Sequence, residues 1–179
     1  MASHPGQNTS VLGMLAWSRG VVPDLHASVE RLFVERREEI YVYLVSLGAP
    51  PEDAQDMTQE SFLKLYLALR EGQQIENPRA WLYTVAHNLA VNARLNDAKE
   101  FRISEIGSEN PESLVLASER TEQLRLAIGN LSPQQRSCLH LRAEGFRYRE
   151  IAGILGINPS TVGEFLQRAV KRLRKVLYE

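Results

Sequence analysis

This chain has little of several things that carry chemistry or targeting. Its 179 residues include one cysteine, Cys138, so neither a disulfide framework nor a cysteine-built metal centre is available. The thiol lies in an apolar helical stretch and reads as a buried structural group, not a redox sensor. No run approaches the ~18 apolar residues of a membrane span. The opening MASHPGQNTSVLGMLAW has no basic region followed by a long apolar core, as a secretory leader would. The cytoplasm is therefore the expected compartment, without membrane insertion. No alternating apolar and polar run reads as a strand, and no segment repeats. No glycine-rich phosphate loop, metal-ligand spacing or nucleophile–base pair stands out. The expectation is a non-enzymatic, all-α chain with no cofactor, no metal site and no catalytic residue.

What is present is helical punctuation. Residues 1–25 lack a period and read as a loose arm. Helical pattern spans Ser28 to Leu47, with Leu32, Phe33, Ile40, Tyr43, Leu44 and Leu47 apolar and Gly48 as the stop. Pro51, Glu52 and Asp53 open a second helix to about Arg70. Asn77 caps and Pro78 opens a third, reaching about Asn96. The stretch KEFRISEIGSENPES breaks the pattern and reads as a linker. Pattern resumes from Leu116 to Ile128. Ser132-Pro133-Gln134-Gln135 is a capping box that starts a helix to about Glu144. A short helix covers Tyr148 to Leu155. Gly156-Ile157-Asn158 turns the chain, and Pro159 opens the last helix. The predicted organisation is an arm over 1–25, a helical domain over 26–98, a flexible linker over 99–115 and a second small helical domain over 116–179.

The second domain reads as a helix-turn-helix. At about 100° per residue, Val162, Leu166, Ala169 and Leu173 fall on one arc of the last helix, and Ser160, Glu164, Gln167, Arg168, Lys171 and Lys175 on the opposite one. Recognition helices read bases with their first half and clamp phosphates further along. Ser160, Thr161, Glu164, Gln167 and Arg168 are thus base-edge candidates, and Lys171, Arg172 and Lys175 phosphate candidates. Residues 146–179 carry seven cations against three acids, a net +4 that leaves −5 for the rest of the chain. A basic tail on an acidic body suits a protein that touches nucleic acid with one end and something else with the other. An amphipathic helix with a solvated face gives the same charge count, but the short helix and tight turn before it favour the DNA reader.

The first domain carries two further features. Its second helix buries Ala54, Thr58, Phe62, Leu65, Tyr66 and Leu69, while its other side mixes Asp53, Asp56 and Glu60 with Leu63 and Leu67. Apolar residues among acids on an outward face point to a protein-binding surface, with packing inside the domain as the alternative. The third helix is expected to bury Leu82, Val85, Leu89 and Ala93. Trp81, Tyr83, Asn88, Asn92 and Arg94 could hold unstacked bases; the alternative is that Trp81 is core, which is favoured for that residue, and that Tyr83 is merely amphipathic. His87 has no partners at metal spacing.

Three blocks, DAQDMTQESFLKLY (53–66), PRAWLYTVAHNLAVNARL (78–95) and LSPQQRSCLHLRAEGFRYREIAGILGINPSTVGEFLQRAVKRLRKVL (131–177), resemble the bacterial sigma factors of the sigma-70 family, extracytoplasmic-function (ECF) class. The resemblance implies a promoter-specific transcription initiation factor whose partners are core RNA polymerase, through the clamp of its largest subunit and the flap, and promoter DNA. Many members are also held by an anti-sigma protein. It places Asp53, Asp56, Gln59, Glu60 and Leu63 on clamp-binding positions. Trp81, Tyr83, Asn88, Asn92 and Arg94 fall in the −10 and melting segment, and the last domain reads the −35 element. Departures are Gly163, Phe165 and Val170, and also Thr84 and His87, where basic residues are frequent. Fewer cations imply weak autonomous DNA binding. The competing reading is a stand-alone helix-turn-helix regulator that does not act through polymerase.

Overall fold

The computed structural model describes residues 24–100 and 126–178, with side chains over 24–94 and 126–175. Six helices follow in order: α1 (Leu25–Ser46), α2 (Pro51–Arg70), α3 (Pro78–Glu100), α4 (Pro133–Ala143), α5 (Tyr148–Leu155) and α6 (Pro159–Tyr178). Residues 126–129 form a helical turn ahead of α4. Among the described residues there is no strand. Residues 1–23, and the linker and helix start expected between 101 and 125, lie outside the described residues.

Local signals account for most helix ends. The Asn77 side chain accepts from the Ala80 amide at 3.0 Å and starts α3. The Ser132 hydroxyl accepts from the Gln135 amide at 3.3 Å, and Gln135 Oε1 accepts from the Ser132 amide at 3.1 Å. This reciprocal box starts α4. Gly48 (φ +92°) and Gly156 (φ +65°) take the left-handed conformation that ends α1 and α5 without a Cβ penalty. Two boundaries differ from the sequence reading. Asp24 accepts from the Ala27 amide at 3.1 Å, so α1 begins three residues earlier than expected, inside the presumed arm. Helix α3 continues to Glu100, two residues into the presumed linker.

Helices α1, α2 and α3 bury Ile40, Tyr43, Leu44, Leu47, Ala54, Phe62, Leu65, Leu82, Ala86 and Ala90. Helices α4, α5 and α6 bury Cys138, Leu141, Ile151, Ile154, Val162, Leu166 and Ala169. The second set folds as a helix-turn-helix on a supporting helix. The two sets are not separate bodies: α4 packs on α1 and α5 packs on α3, and their cores merge.

This packing corrects the reading of α3. Its fully covered residues are Leu82, Tyr83, Ala86 and Ala90, whereas Val85, Leu89 and Ala93 are only half-buried. The small side chains at 86 and 90 admit close helix approach, and the second domain covers the Tyr83 side. Trp81, expected in the core, is half-buried and packs against its edge, while Tyr83 is the aromatic that is fully covered.

Ser132→Ala removes one half of the capping box. It is expected to cost about 1 kcal/mol and to lower the urea midpoint at unchanged slope. An unaltered midpoint would show that Gln135 and Pro133 start α4 without the hydroxyl.

Candidate nucleic-acid interface

Helix α6 presents the face expected of a DNA reader. Val162 and Ala169 are fully buried and Leu166 nearly so. Ser160, Glu164, Gln167, Arg168, Lys171 and Lys175 are exposed, and Thr161 is half-buried. Two candidates already have intramolecular partners. Arg168 Nη2 lies 3.2 Å from Glu164 Oε2 across one helical turn, an exposed pair that strand contact could exchange at little cost. Arg172 donates to the Asn130 carbonyl and to Gln135 Oε1, both at 3.3 Å. It therefore ties α6 to the turn before α4, a job the sequence did not suggest for a phosphate candidate.

On α2, Asp53, Asp56, Gln59, Glu60 and Leu63 are all exposed. Leu63 is 57% exposed, unusual for a leucine amid acids. Beside it runs a groove of about 420 Å³ between α1 and α2, lined by Val29, Phe33, Gln59, Phe62, Leu63 and Tyr66 among others. Phe33 and Phe62 meet edge to face at 5.0 Å beneath it.

Helix α3 divides its candidates. Asn88 and Asn92 are exposed. Arg94 is half-buried, with its guanidinium close to Gly48 at the end of α1. Tyr83 is fully buried, its ring 5.1 Å from Phe146 of the second domain and 5.1 Å from Tyr43. The structure thus leaves the α6 face open and covers part of the α3 face with the helix-turn-helix domain.

Known proteins match both halves. Residues 32–100 match the family model "Sigma-70 region 2" and residues 121–173 "Sigma-70, region 4". RNA polymerase sigma factor YlaC of Bacillus subtilis is 32% identical over 158 residues, 83% of this chain and 91% of the relative. The ECF RNA polymerase sigma-E factor of Escherichia coli is 32% identical over 154 residues, 77% of this chain and 81% of the relative. The chain belongs to the ECF sigma factors. It acts in promoter-specific transcription initiation. Among solved structures, the sigma factor RpoE in complex with the anti-sigma factor NepR from Bartonella quintana matches with a TM-score of 0.69 at 23% identity, over 83% of this chain and 95% of that one. CnrH in complex with the cytosolic domain of CnrY matches with a TM-score of 0.59 at 21% identity, over 93% and 95%. These two show the shared all-α fold.

The residues that join the two halves of this sigma factor escaped the sequence reading. Arg79 of α3 donates to Glu39 of α1 at 3.3 Å, to the Glu144 carboxylate at 2.7 Å and to the Glu144 carbonyl at 3.0 Å. Its guanidinium lies 4.6 Å from the Phe146 ring centroid, within cation–π range. Arg136 of α4 donates to the Ser46 carbonyl at 3.4 Å. Tyr43 is bonded to His87 Nδ1 at 3.0 Å and its ring lies 5.1 Å from His140. Only the position of Arg79, directly after the helix-opening Pro78, could have flagged it, because a cation is out of place in a helix's first turn.

Burial lowers the pKa of two histidines around Tyr43, His87 of the first half and His140 of the second. For His87 desolvation is the main cause and the neighbouring Arg94 adds to it. For His140 desolvation outweighs the opposing pull of Glu144. Burial pushes the Cys138 thiol up to about 11, in keeping with an inert structural group.

An unfolded histidine takes up its proton near the ordinary value of 6.5, whereas these two stay neutral to lower pH. The unfolded chain then binds more protons as pH falls, so the sigma factor loses stability below about pH 6.5. The expected result is a thermal midpoint that falls as the pH is taken from above to below the ordinary histidine value. His140→Leu should flatten the profile. Equal slopes for wild type and His140→Leu would show that His140 does not contribute.

Proposed function

We propose that the two halves of this sigma factor divide the work of initiation as their surfaces suggest. The α2 face of Asp53, Asp56, Gln59, Glu60 and Leu63 docks on core RNA polymerase, at the clamp of the largest subunit. Trp81, Tyr83, Asn88, Asn92 and Arg94 engage the −10 element and its unstacked bases. Helix α6 reads the −35 element, with the second domain seated near the flap. The domains take the limits 26–98 and 116–179, and the protein works in the cytoplasm. No described helix is long and apolar enough to cross a membrane. Melting needs no catalytic residue, only binding that favours unpaired bases over paired ones, so the protein is read as a non-enzyme. An anti-sigma partner is proposed because RpoE was solved in complex with the anti-sigma factor NepR.

The observation that carries the polymerase reading is the α2 face. Four polar or acidic residues surround an exposed leucine beside an apolar groove. A stand-alone regulator using only α6 has no use for it. The test is run-off transcription with purified core polymerase and a genomic library. Asp56→Arg with Leu63→Arg is expected to weaken core binding by at least about tenfold, the loss typical of a central interface residue, and to abolish specific transcripts with helix content unchanged. Full activity in that double variant would favour the stand-alone reading.

On the DNA side, Arg168→Ala should relax sequence preference at one −35 position. The expected loss of discrimination is about 1–3 kcal/mol, read by competition between promoter variants in the polymerase-bound state. A uniform loss across all variants would reassign Arg168 to phosphate contact.

A further inference from the structure

The groove between α1 and α2 lies at the N-terminal end of α1. Val29, Glu30 and Phe33 line it from that helix, and Gln59, Phe62 and Tyr66 from α2. Three of these are aromatic rings, two of them in edge-to-face contact. Among the described residues its lining includes the carboxylate of Glu30 but no lysine or arginine. Such a groove suits a large apolar side chain with one N–H to place. Ring edges receive the apolar body, and a carboxylate or amide oxygen accepts from the donor. Tryptophan is the side chain of that description.

The chain has two tryptophans. Trp81 packs against the edge of the core. The other, Trp17, closes the apolar run VLGMLAW over residues 11–17. This run belongs to the arm, outside the described residues. Residues 1–23 hold no acid, and Arg19 is their one lysine or arginine. An apolar run with a cation beside it complements an apolar groove with a carboxylate in its lining. Met14 adds a thioether, which makes favourable contacts with aromatic rings.

The point where the arm joins the fold selects the same place. It enters α1 through the Asp24 cap. Glu30 stands six residues further on, about 9 Å along the helix axis. Seven residues separate Trp17 from Asp24, enough chain to span up to about 24 Å. The run can therefore fold back onto the first turns of α1. A connection that short gives it an effective concentration on the order of millimolar at the groove, so weak contacts suffice to hold it.

We propose that residues 11–17 dock in the α1–α2 groove, with Trp17 as the anchor, and so compete with core polymerase for this edge of α2. Gln59 and Leu63 line the groove and also belong to the face proposed to meet the clamp. The competition rests on that reading, whereas the docking does not.

The test uses the full chain with Trp17→p-benzoylphenylalanine, a photo-crosslinker that keeps an aromatic ring at this position. A mixture of isotope-labelled and unlabelled protein is irradiated and its peptides are mapped by mass spectrometry. Residue 17 should be joined to peptides holding residues 29–33 and 59–66, within single chains. Crosslinks between a labelled and an unlabelled chain would make a second copy the occupant and overturn the proposal. Crosslinks outside the groove, or none, would overturn it as well. In parallel, the arm variant Leu12→Ser, Met14→Ser, Leu15→Ser, Trp17→Ser changes no residue of the described helices, so helix content should match wild type. It should bind core polymerase at least about threefold more tightly, the gain expected when two thirds of the free molecules are otherwise occupied by their own arm. Equal affinity overturns the competition. Should neither protein bind core, the polymerase reading fails, and the crosslink map still decides the docking.

Discussion

The arrangement of this sigma factor depends on where one guanidinium sits. Arg79 lies about one-quarter exposed, between the carboxylates of Glu39 and Glu144 and over the Phe146 ring. An arginine at that depth needs its partners, because removing one leaves a desolvated charge that is expensive to keep. Its planar fork can meet a carboxylate and a backbone carbonyl together, which a lysine ammonium cannot reproduce in that geometry. Glu39 is itself held at 2.6 Å by Arg36, so the carboxylate facing Arg79 is positioned by a contact within the first domain. The first domain therefore presents a preset socket, and the end of α4 supplies the missing partner.

That contact also decides which surfaces remain available. With α4 on α1 and α5 on α3, the polar arc of α6 proposed as the DNA reader stays exposed. So do the acidic and apolar residues of α2. Only the α3 face is covered, through Tyr83 and the flank of Arg94. Arg94 is held below its ordinary basicity by burial and by Arg136, an unfavourable pairing of like charges that the carbonyls ending α1 partly offset.

Much of this was legible in the sequence because the relevant signals are local. Asn77, Ser132 with Gln135, Gly48 and Gly156 state where helices start and stop, and each makes the contact its chemistry predicts. The α6 stripe was legible because that helix is buried on one side only, so a 3.6-residue period survives. Helix α3 was misread for the converse reason. It is flanked by α1 and α2 on one side and by α5 on another, so its buried arc is rotated towards Tyr83 and away from Val85 and Leu89. Tyr83 went inward and Trp81 partly outward. The intramolecular contacts of Arg172 were not legible because its partners, Asn130 and Gln135, lie some forty residues away in sequence. The carbonyl contacts of Arg79 and Arg136 are longer-range still, and no periodicity encodes them.

The proposed −35 reading has a physical consequence for how this protein would meet DNA alone. Gly163, Phe165 and Val170 supply no cation to the exposed side of α6, and Arg172 already donates to Asn130 and Gln135. On that reading each phosphate contact not made lowers the slope of affinity against salt by about one unit. Polymerase would offset the loss by adding its own grip on the duplex. The sparse charge of α6 then fits a reader that does not have to hold DNA on its own.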